Sequence, residues 1–373
     1  MLPDHQQQLD DLAAATRLRS LRPRAGRDFA SNDYLGLAAH PALRAAVVDA
    51  VGRGVAVGSG GSRLLRGNDP EHEMLEAEAA AFFGAEAALY FSSGYAANAA
   101  LLSTLPQRGD LVVYDELVHA SVHEGMRLGR AETLAAAHND AGAVEAAIRA
   151  WRARGGRGRA WIAVESLYSM DGDRAPLAGL AAVADRHDAM LLVDEAHATG
   201  VFGPNGEGLA ADLEGRDNVV TLHTCGKALG CEGALLCGPA IVRDFLVNRG
   251  RAFIFSTAPS PLMAAAVRAA LRLVAGAPDR RVELQALAAH AARALGQAGT
   301  DSQIIPVILG DDARTMRVAA ALQDAGFDVR GIRPPTVPAG TSRLRVSITL
   351  NVTRADVDAL AAVLAEALAP EPA

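Results

Sequence analysis

The sequence predicts an α/β fold: a large, mostly parallel sheet domain followed by a smaller C-terminal α+β domain. Three observations carry that expectation. Short apolar runs alternate with alanine-rich helical patterns through the middle of the chain. The runs are continuously apolar rather than alternating, as strands are when helices cover a parallel sheet on both faces. Toward the C-terminus the order changes to strand, helix, strand, helix. The 373 residues, 50% of them apolar, are enough to bury one large core and a second, smaller one.

The elements follow in order. Residues 1–37 read as an N-terminal arm. Apolar runs at 87–92, 111–114, 161–165, 190–194, 219–224 and 234–237 predict strands, and helical patterns such as 176–187 fall between most of them. The segment 259–274 reads as a long helix and 281–295 as a second one. A strand at 304–309, a helix at 313–325, a strand at 344–349 and a helix at 354–368 complete the smaller domain. The expected organisation is therefore an arm (1–37), a large domain (38–258), and a linking helix with the small C-terminal domain (259–373). The Gly- and Arg-rich stretch 152–159 reads as a solvated loop. No internal repeat is visible.

Composition excludes several function classes. A net charge of −7 gives no electrostatic reason for a nucleic-acid partner. No apolar run approaches the ~20 residues that a membrane span needs. The N-terminus is polar, without the basic-then-apolar layout of a secretory signal. A cytoplasmic protein is expected. Cys225, Cys231 and Cys237 are odd in number and form no C-x-x-C pair, so they are expected to be small packing residues, with neither a disulfide framework nor a metal site.

One compositional feature points at chemistry. Of the 36 lysine and arginine residues only one, Lys227, is a lysine. Lysine can lose its proton and condense with an aldehyde, whereas guanidinium stays protonated and cannot. Ligands of parallel α/β sheets bind at the C-terminal strand ends. There the sequence places Ser93-Gly94-Tyr95, a strand running into a helix whose free N–H groups would suit a phosphate; the same Ser-Gly is also an ordinary turn and N-cap. Asp194-Glu195-Ala196-His197 follows the fourth predicted strand. Its first carboxylate could pair with a pyridine nitrogen, or cap a helix. Thr224-Cys225-Gly226-Lys227 closes the fifth, bringing a hydroxyl and the amine to the same edge. His119 follows the second strand and could stack on an aromatic ring or simply be buried. Glu165 to Asp173 closes the third, with a hydroxyl at Ser169. Arg333 and Thr336 lie on a proline-bounded loop and Arg345 in the next strand; arginine suits bidentate capture of a carboxylate. The Gly-rich stretch 58–67 lacks the spacing and following lysine of a nucleotide-binding P-loop.

Taken together, S-N-D-Y-L-G-L (31–37), G-S-G-G-S-R (58–63), H-A-S (119–121), S-M-D-G-D-x-A-P-L (169–177), V-D-E-A-H-x-T-G (193–200), T-C-G-K (224–227) and I-R-P-P-T-V-P-A-G-T-x-R-L-R (332–345) resemble the α-oxoamine synthase family of fold-type I pyridoxal-phosphate enzymes, from about Phe29 onward. The resemblance implies an aspartate aminotransferase-like fold, a pyridoxal 5'-phosphate cofactor and a homodimer with a shared active site. It implies Lys227 as the Schiff-base lysine and acid/base, Asp194 as partner of the pyridinium, and His119 stacked on the ring. Ser169 and His197 would bond the ring oxygen. Ser93, Gly94, Tyr95 and Thr224 would hold the phosphate side, with Glu165 also at the cofactor and Thr257 reaching the phosphate of the partner subunit. Arg345 would hold an amino-acid carboxylate, and Arg19, Asn32, Arg333 and Thr336 would contact substrate. Within the family, the arginine loop and G-S-G-G-S-R-L point to condensation of L-alanine with a pimeloyl thioester, on acyl carrier protein or coenzyme A, in biotin biosynthesis. Glycine C-acetyltransferase, 5-aminolevulinate synthase and serine palmitoyltransferase share the lysine, aspartate and histidine and are the alternatives. Tyr95, Leu167-Tyr168 and Cys231-Glu232 depart from the commoner family residues without removing a catalytic group.

Overall fold

The computed structural model describes residues 2–369; residue 1 and residues 370–373, at the outer ends of the expected arm and C-terminal domain, lie outside the described residues. The chain divides into two compact units. The larger comprises Leu35–Tyr168 and Arg174–Arg281; the smaller comprises the residues up to Tyr34, Ser169–Asp173, and those from Val282 onward. The strands, in chain order, are β1 (Arg27–Asp28), β2 (Ala87–Phe91), β3 (Leu111–Asp115), β4 (Glu132–Ala136), β5 (Ala160–Glu165) and β6 (Met190–Asp194). They continue with β7 (Val219–Thr224), β8 (Ala234–Gly238), β9 (Ile304–Gly310), β10 (Phe327–Asp328), β11 (Arg330–Ile332) and β12 (Ser342–Ser347).

The larger unit is built on a seven-stranded sheet in the order β2-β8-β7-β6-β5-β3-β4. From β7 to β4 neighbouring strands are parallel, and β8 runs antiparallel to both β7 and β2. The reason is the connection: β7 passes to β8 through the loop that carries Lys227, with no crossover helix, and a short loop can only join antiparallel strands. Because β8 is antiparallel on both sides, β2 points the same way as β7. The C-terminal ends of β2, β3, β5, β6 and β7 therefore share one sheet edge.

Alternate side chains of each strand enter two different cores. Trp161, Ala163, Met190, Leu192, Val220 and Leu222 pack with Ala97, Leu101 and Leu102 on one face. Ile162, Val164, Leu191, Val193 and Val219 pack with Val144, Ile148, Leu180 and Val183 on the other. Each fully buried aliphatic side chain contributes roughly 1.5–3 kcal/mol, so both faces hold the strand ends in place. This explains why these strands are continuously apolar. Strand β4 escapes a reading based on apolar runs because its Glu132, Thr133 and Ala135 are exposed at the sheet edge. The helix Ala141–Ala153 runs into the stretch expected to be a loop, anchored by buried Trp151.

In the smaller unit β11, β12 and β9 form an antiparallel sheet in that order, and β1 pairs with β10. Helices Asp312–Asp324 and Arg354–Leu368 bury Val318, Leu322, Val357, Leu360 and Leu364. Strand β12 begins at Ser342, two residues before the expected start, because Arg343 is a strand residue, buried and paired with Asp171. Among the described residues no single helix is long and apolar enough to cross a membrane.

Candidate active site

The sheet edge of the larger unit gathers most of the expected residues. Lys227 is half-buried on the β7–β8 loop, and its Nζ lies 2.8 Å from His197 Nε2. A protonated amine would donate a hydrogen bond to that nitrogen. The loop is fixed at both ends: Cys225 N–H donates to Gly233 O at 2.8 Å, and Cys231 N–H to Cys225 O at 2.8 Å. Gly230, with φ +64°, sits so close to residue 38 that an added Cβ would lie 2.4 Å from Ala38 N. Cys225 and Cys237 are buried, and burial pushes both thiols up, out of reactive range.

Asp194 ends β6 and is 9% exposed. Its Oδ1 accepts the Ala196 N–H at 2.9 Å and its Oδ2 accepts an Asn98 N–H at 2.8 Å. Glu165 ends β5 directly beside it in register and is buried. The next residue, Glu195, is wholly buried, and that burial pushes its carboxyl up to about 7 against the pull of His223 and of the backbone N–H of Leu209. It clamps the loop behind the strand end, accepting the N–H groups of Leu209 at 2.8 Å and Ala210 at 3.0 Å.

His119 caps the helix Ala120–Leu128, with Nδ1 accepting the Ser121 N–H at 3.3 Å and lying 2.8 Å from Ser121 Oγ. Burial holds its imidazole below the ordinary histidine range; Asp194 pulls it upward, while Lys227 and His123 push with burial. The turn that delivers His119 is tied by Asp115 at the end of β3. Asp115 accepts the N–H groups of Leu117 at 2.9 Å and Asn139 at 2.7 Å, and lies 2.9 Å from His138 Nδ1. Burial opposes the charge on Asp115, but these bonds outweigh it and hold its carboxyl below the ordinary range.

Ser93 is the N-cap of the helix Gly94–Thr104, its Oγ accepting the Ala96 N–H at 3.1 Å. A Cβ on Gly94 would lie 3.8 Å from Thr224 Oγ1. The helix start and the end of β7 thus form one small polar corner, suited to an anion. Tyr95 is 50% exposed there. Thr257 is exposed on the segment before Pro259.

The smaller unit assembles the rest. Arg345 is buried in β12, donating from Nε to Ser169 O at 2.5 Å, from Nη1 to Ser347 Oγ at 2.6 Å and from Nη2 to Tyr34 Oη at 3.4 Å. Tyr34 in turn donates to Asn32 Oδ1 at 3.0 Å. Arg19 donates to Thr336 Oγ1 at 3.3 Å, and Arg333 to Thr16 O. Burial lowers the Arg333 guanidinium from its usual value, with Arg19 acting in the same sense.

Sequence reasoning missed Asn98, Asp115 and His138. Asp115 stood at a strand end and could have been found by the rule that singled out Asp194. Asn98 carries no local signal, since it lies within an alanine-rich helix. Among the described residues no group of histidine, cysteine and acidic side chains is placed to hold a metal ion.

Comparison with known proteins places this geometry in a family. The model of the aminotransferase class I and II family matches residues 26–364. A protein of Anaeromyxobacter dehalogenans, 8-amino-7-oxononanoate synthase, is 48% identical over 92% of this chain and 87% of its own length. The protein of the same name from Mycolicibacterium smegmatis is 44% identical over 94% of this chain and 92% of its own length. Among solved structures, a lysine-to-alanine variant of serine palmitoyltransferase from S. paucimobilis with bound PLP–myriocin aldimine superposes with a TM-score of 0.88 at 28% identity, over 98% of this chain and 97% of its own. An 8-amino-7-oxononanoate synthase from Francisella tularensis gives a TM-score of 0.77 at 26% identity, over 91% and 97%. The chain belongs to the aminotransferase class I and II family, among the 8-amino-7-oxononanoate synthases.

Proposed function

We propose that this chain condenses L-alanine with a pimeloyl thioester, releasing CO2, the free carrier and 8-amino-7-oxononanoate, with pyridoxal 5'-phosphate as cofactor, in biotin biosynthesis. The observation that carries the reading is the sole lysine, on a strand-end loop 2.8 Å from His197, at the same sheet edge as Asp194. The residues present fit the cofactor. Lys227 offers an amine for its aldehyde, Asp194 a carboxylate for its ring nitrogen and His119 an imidazole for its ring face. The corner of Ser93, Gly94 and Thr224 offers N–H and O–H donors for its phosphate, with Tyr95 and Glu165 beside these groups. His197 would bond the ring oxygen, and Ser169 is assigned the same role.

Bound there, the cofactor supplies an electron-withdrawing ring that makes the α-proton of an amino acid acidic. Lys227 Nζ takes that proton and later returns one, with His197 Nε2 as its hydrogen-bond partner. Asp194, held by the N–H groups of Ala196 and Asn98, would pair with the ring nitrogen and favour its protonated form. Arg345 holds the amino-acid carboxylate until it leaves as CO2. Arg19, Asn32, Arg333 and Thr336 receive the acyl substrate.

The active form is a homodimer in which Thr257 reaches the phosphate bound by the partner subunit. Supporting this is an apolar surface on the larger unit: Val57, Leu65 and Phe255 are 76%, 84% and 71% exposed. Hydrogen bonds from Ala258 N–H to Gly61 O at 2.9 Å and from Ser260 Oγ to Val57 O at 2.6 Å tie its segments together.

The test is product formation by cofactor-loaded protein with L-alanine plus a pimeloyl thioester, beside glycine plus acetyl-CoA and serine plus palmitoyl-CoA. Turnover with the first pair alone is expected, and Lys227→Ala is expected to lose at least about a thousandfold of it. Turnover with either other pair instead would move the chain within its family. Undiminished turnover by Lys227→Ala would remove the lysine from the mechanism.

A further inference from the structure

We infer that Asn98 is a positioning residue for the reaction: it fixes the orientation of the Asp194 carboxylate and couples it to His119 through Ser121. Asn98 lies on the helix Gly94–Thr104, one turn past the Ser93 cap, and is 4% exposed. Its Nδ2 donates to Asp194 Oδ2 at 2.8 Å and to Ser121 Oγ at 3.0 Å. The carboxamide therefore spends both of its N–H groups, one on each neighbour, which fixes which way it faces. Ser121 is wholly buried; it accepts from Asn98, and its own O–H is left to donate to His119 Nδ1, 2.8 Å away. The backbone N–H of Ser121 points at the same nitrogen at 3.3 Å. Both donors require His119 Nδ1 to be bare, so the ring is neutral and carries its proton on Nε2.

The consequence concerns charge. The oxygens of a carboxylate so nearly buried need N–H groups to face them. Asp194 has two such donors, the Ala196 backbone and the Asn98 side chain. The backbone donor comes with the turn, but the side-chain donor is a choice of residue at position 98. An asparagine buried in an alanine-rich helix has no helix-forming reason to be there. The same side chain decides the state of both groups expected to face the cofactor ring, the carboxylate at its edge and the imidazole on its face. Packing fixes the path of the chain around it: a Cβ on Gly125 would lie 2.8 Å from Asn98 O, so the two helices touch at this point.

This inference rests on the reading of Asp194 as partner of the ring nitrogen, and the test separates the two. Asn98→Asp is nearly isosteric but replaces a donor with an acceptor, forcing two carboxyl groups within hydrogen-bond distance to share one proton. Asn98→Ala removes the donor without adding charge, and serves where the aspartate variant does not fold. Both are compared with Asp194→Asn and the parent protein, loaded with pyridoxal phosphate. Readouts are the visible absorbance of the bound cofactor, its dissociation constant, kcat and KM for L-alanine, the kinetic isotope effect with α-deuterated L-alanine, and Tm. Asn98→Asp is expected to lower kcat by about a hundredfold. It should leave KM within about threefold. It should also enlarge the isotope effect and shift the absorbance in the same sense as Asp194→Asn, with Asn98→Ala changing each to a lesser degree. A residue that only packs would lower Tm and leave the isotope effect and absorbance alone, and that result would overturn the inference. Parent-like spectra and rates in Asp194→Asn would instead overturn the reading of Asp194.

Discussion

Single side chains in this molecule matter through what they fix in their neighbours. Glu195 shows this beside the proposed ring partner. Its two oxygens take the N–H groups of Leu209 and Ala210, so the residue after Asp194 is stapled to the loop behind it. The loop can approach only because position 208 has no side chain. Gly208 has φ +121°, and an added Cβ would lie 1.8 Å from Glu195 Oε2. Gly208→Ala thus carries both a backbone penalty and a collision with a buried carboxylate that has nowhere to move. It is expected to destabilise the protein by at least about 2 kcal/mol. Urea unfolding measures the loss, and a parent-like midpoint would mean that the loop moves freely away from Glu195. The network is also why the sequence under-reports the site. A lone lysine and a carboxylate at a strand end announce themselves by residue type, whereas Asn98 and Gly208 acquire meaning only from atoms distant in the chain.

Elements obey the same division. Strands β6 and β7 run over the residues that the apolar runs marked, because both faces of the sheet are covered and burial dictates composition. Strand β4 was illegible because an edge strand with exposed Glu132 and Thr133 needs no apolar run. Strand β12 started earlier than its apolar residues suggested, since Arg343, buried and paired with Asp171, reads in sequence like a surface arginine. The helix Gly94–Thr104 was placed correctly at its start, and its Ser93 admits two roles, cap and phosphate ligand. Ser93→Ala separates them. Loss of the bond to Ala96 is expected to cost about 1 kcal/mol of stability whichever role holds. If the helix start also binds the phosphate, the dissociation constant for pyridoxal phosphate rises by about fivefold or more, a further 1 kcal/mol. Fluorescence titration of the stripped protein reads this directly. An unchanged constant together with lowered stability would leave Ser93 as a cap alone and move the phosphate to other donors.

At the scale of the whole molecule, the question is what covers the apolar residues that folding leaves outside. A net charge of −7 does not explain Val57, Leu65 and Phe255, which stand 76%, 84% and 71% exposed on the larger unit. Scattered apolar residues are ordinary on a surface. These lie on two segments, around 57–65 and 255–260, that are hydrogen-bonded to one another, and the second carries Thr257. Burying large aliphatic and aromatic side chains is the main source of affinity between copies of a chain. A second copy on this surface would also bring Thr257 to its partner's site. Leu65→Asp places a charge on that exposed apolar surface and changes none of the residues assigned to the chemistry. Light scattering is expected to find the parent chain as a dimer of its 38.7 kDa subunit and the variant largely as monomer. Turnover by the variant should fall in proportion to the dimer lost and recover as protein concentration is raised. A fully active monomer would show that each chain completes its own site and that Thr257 serves no partner.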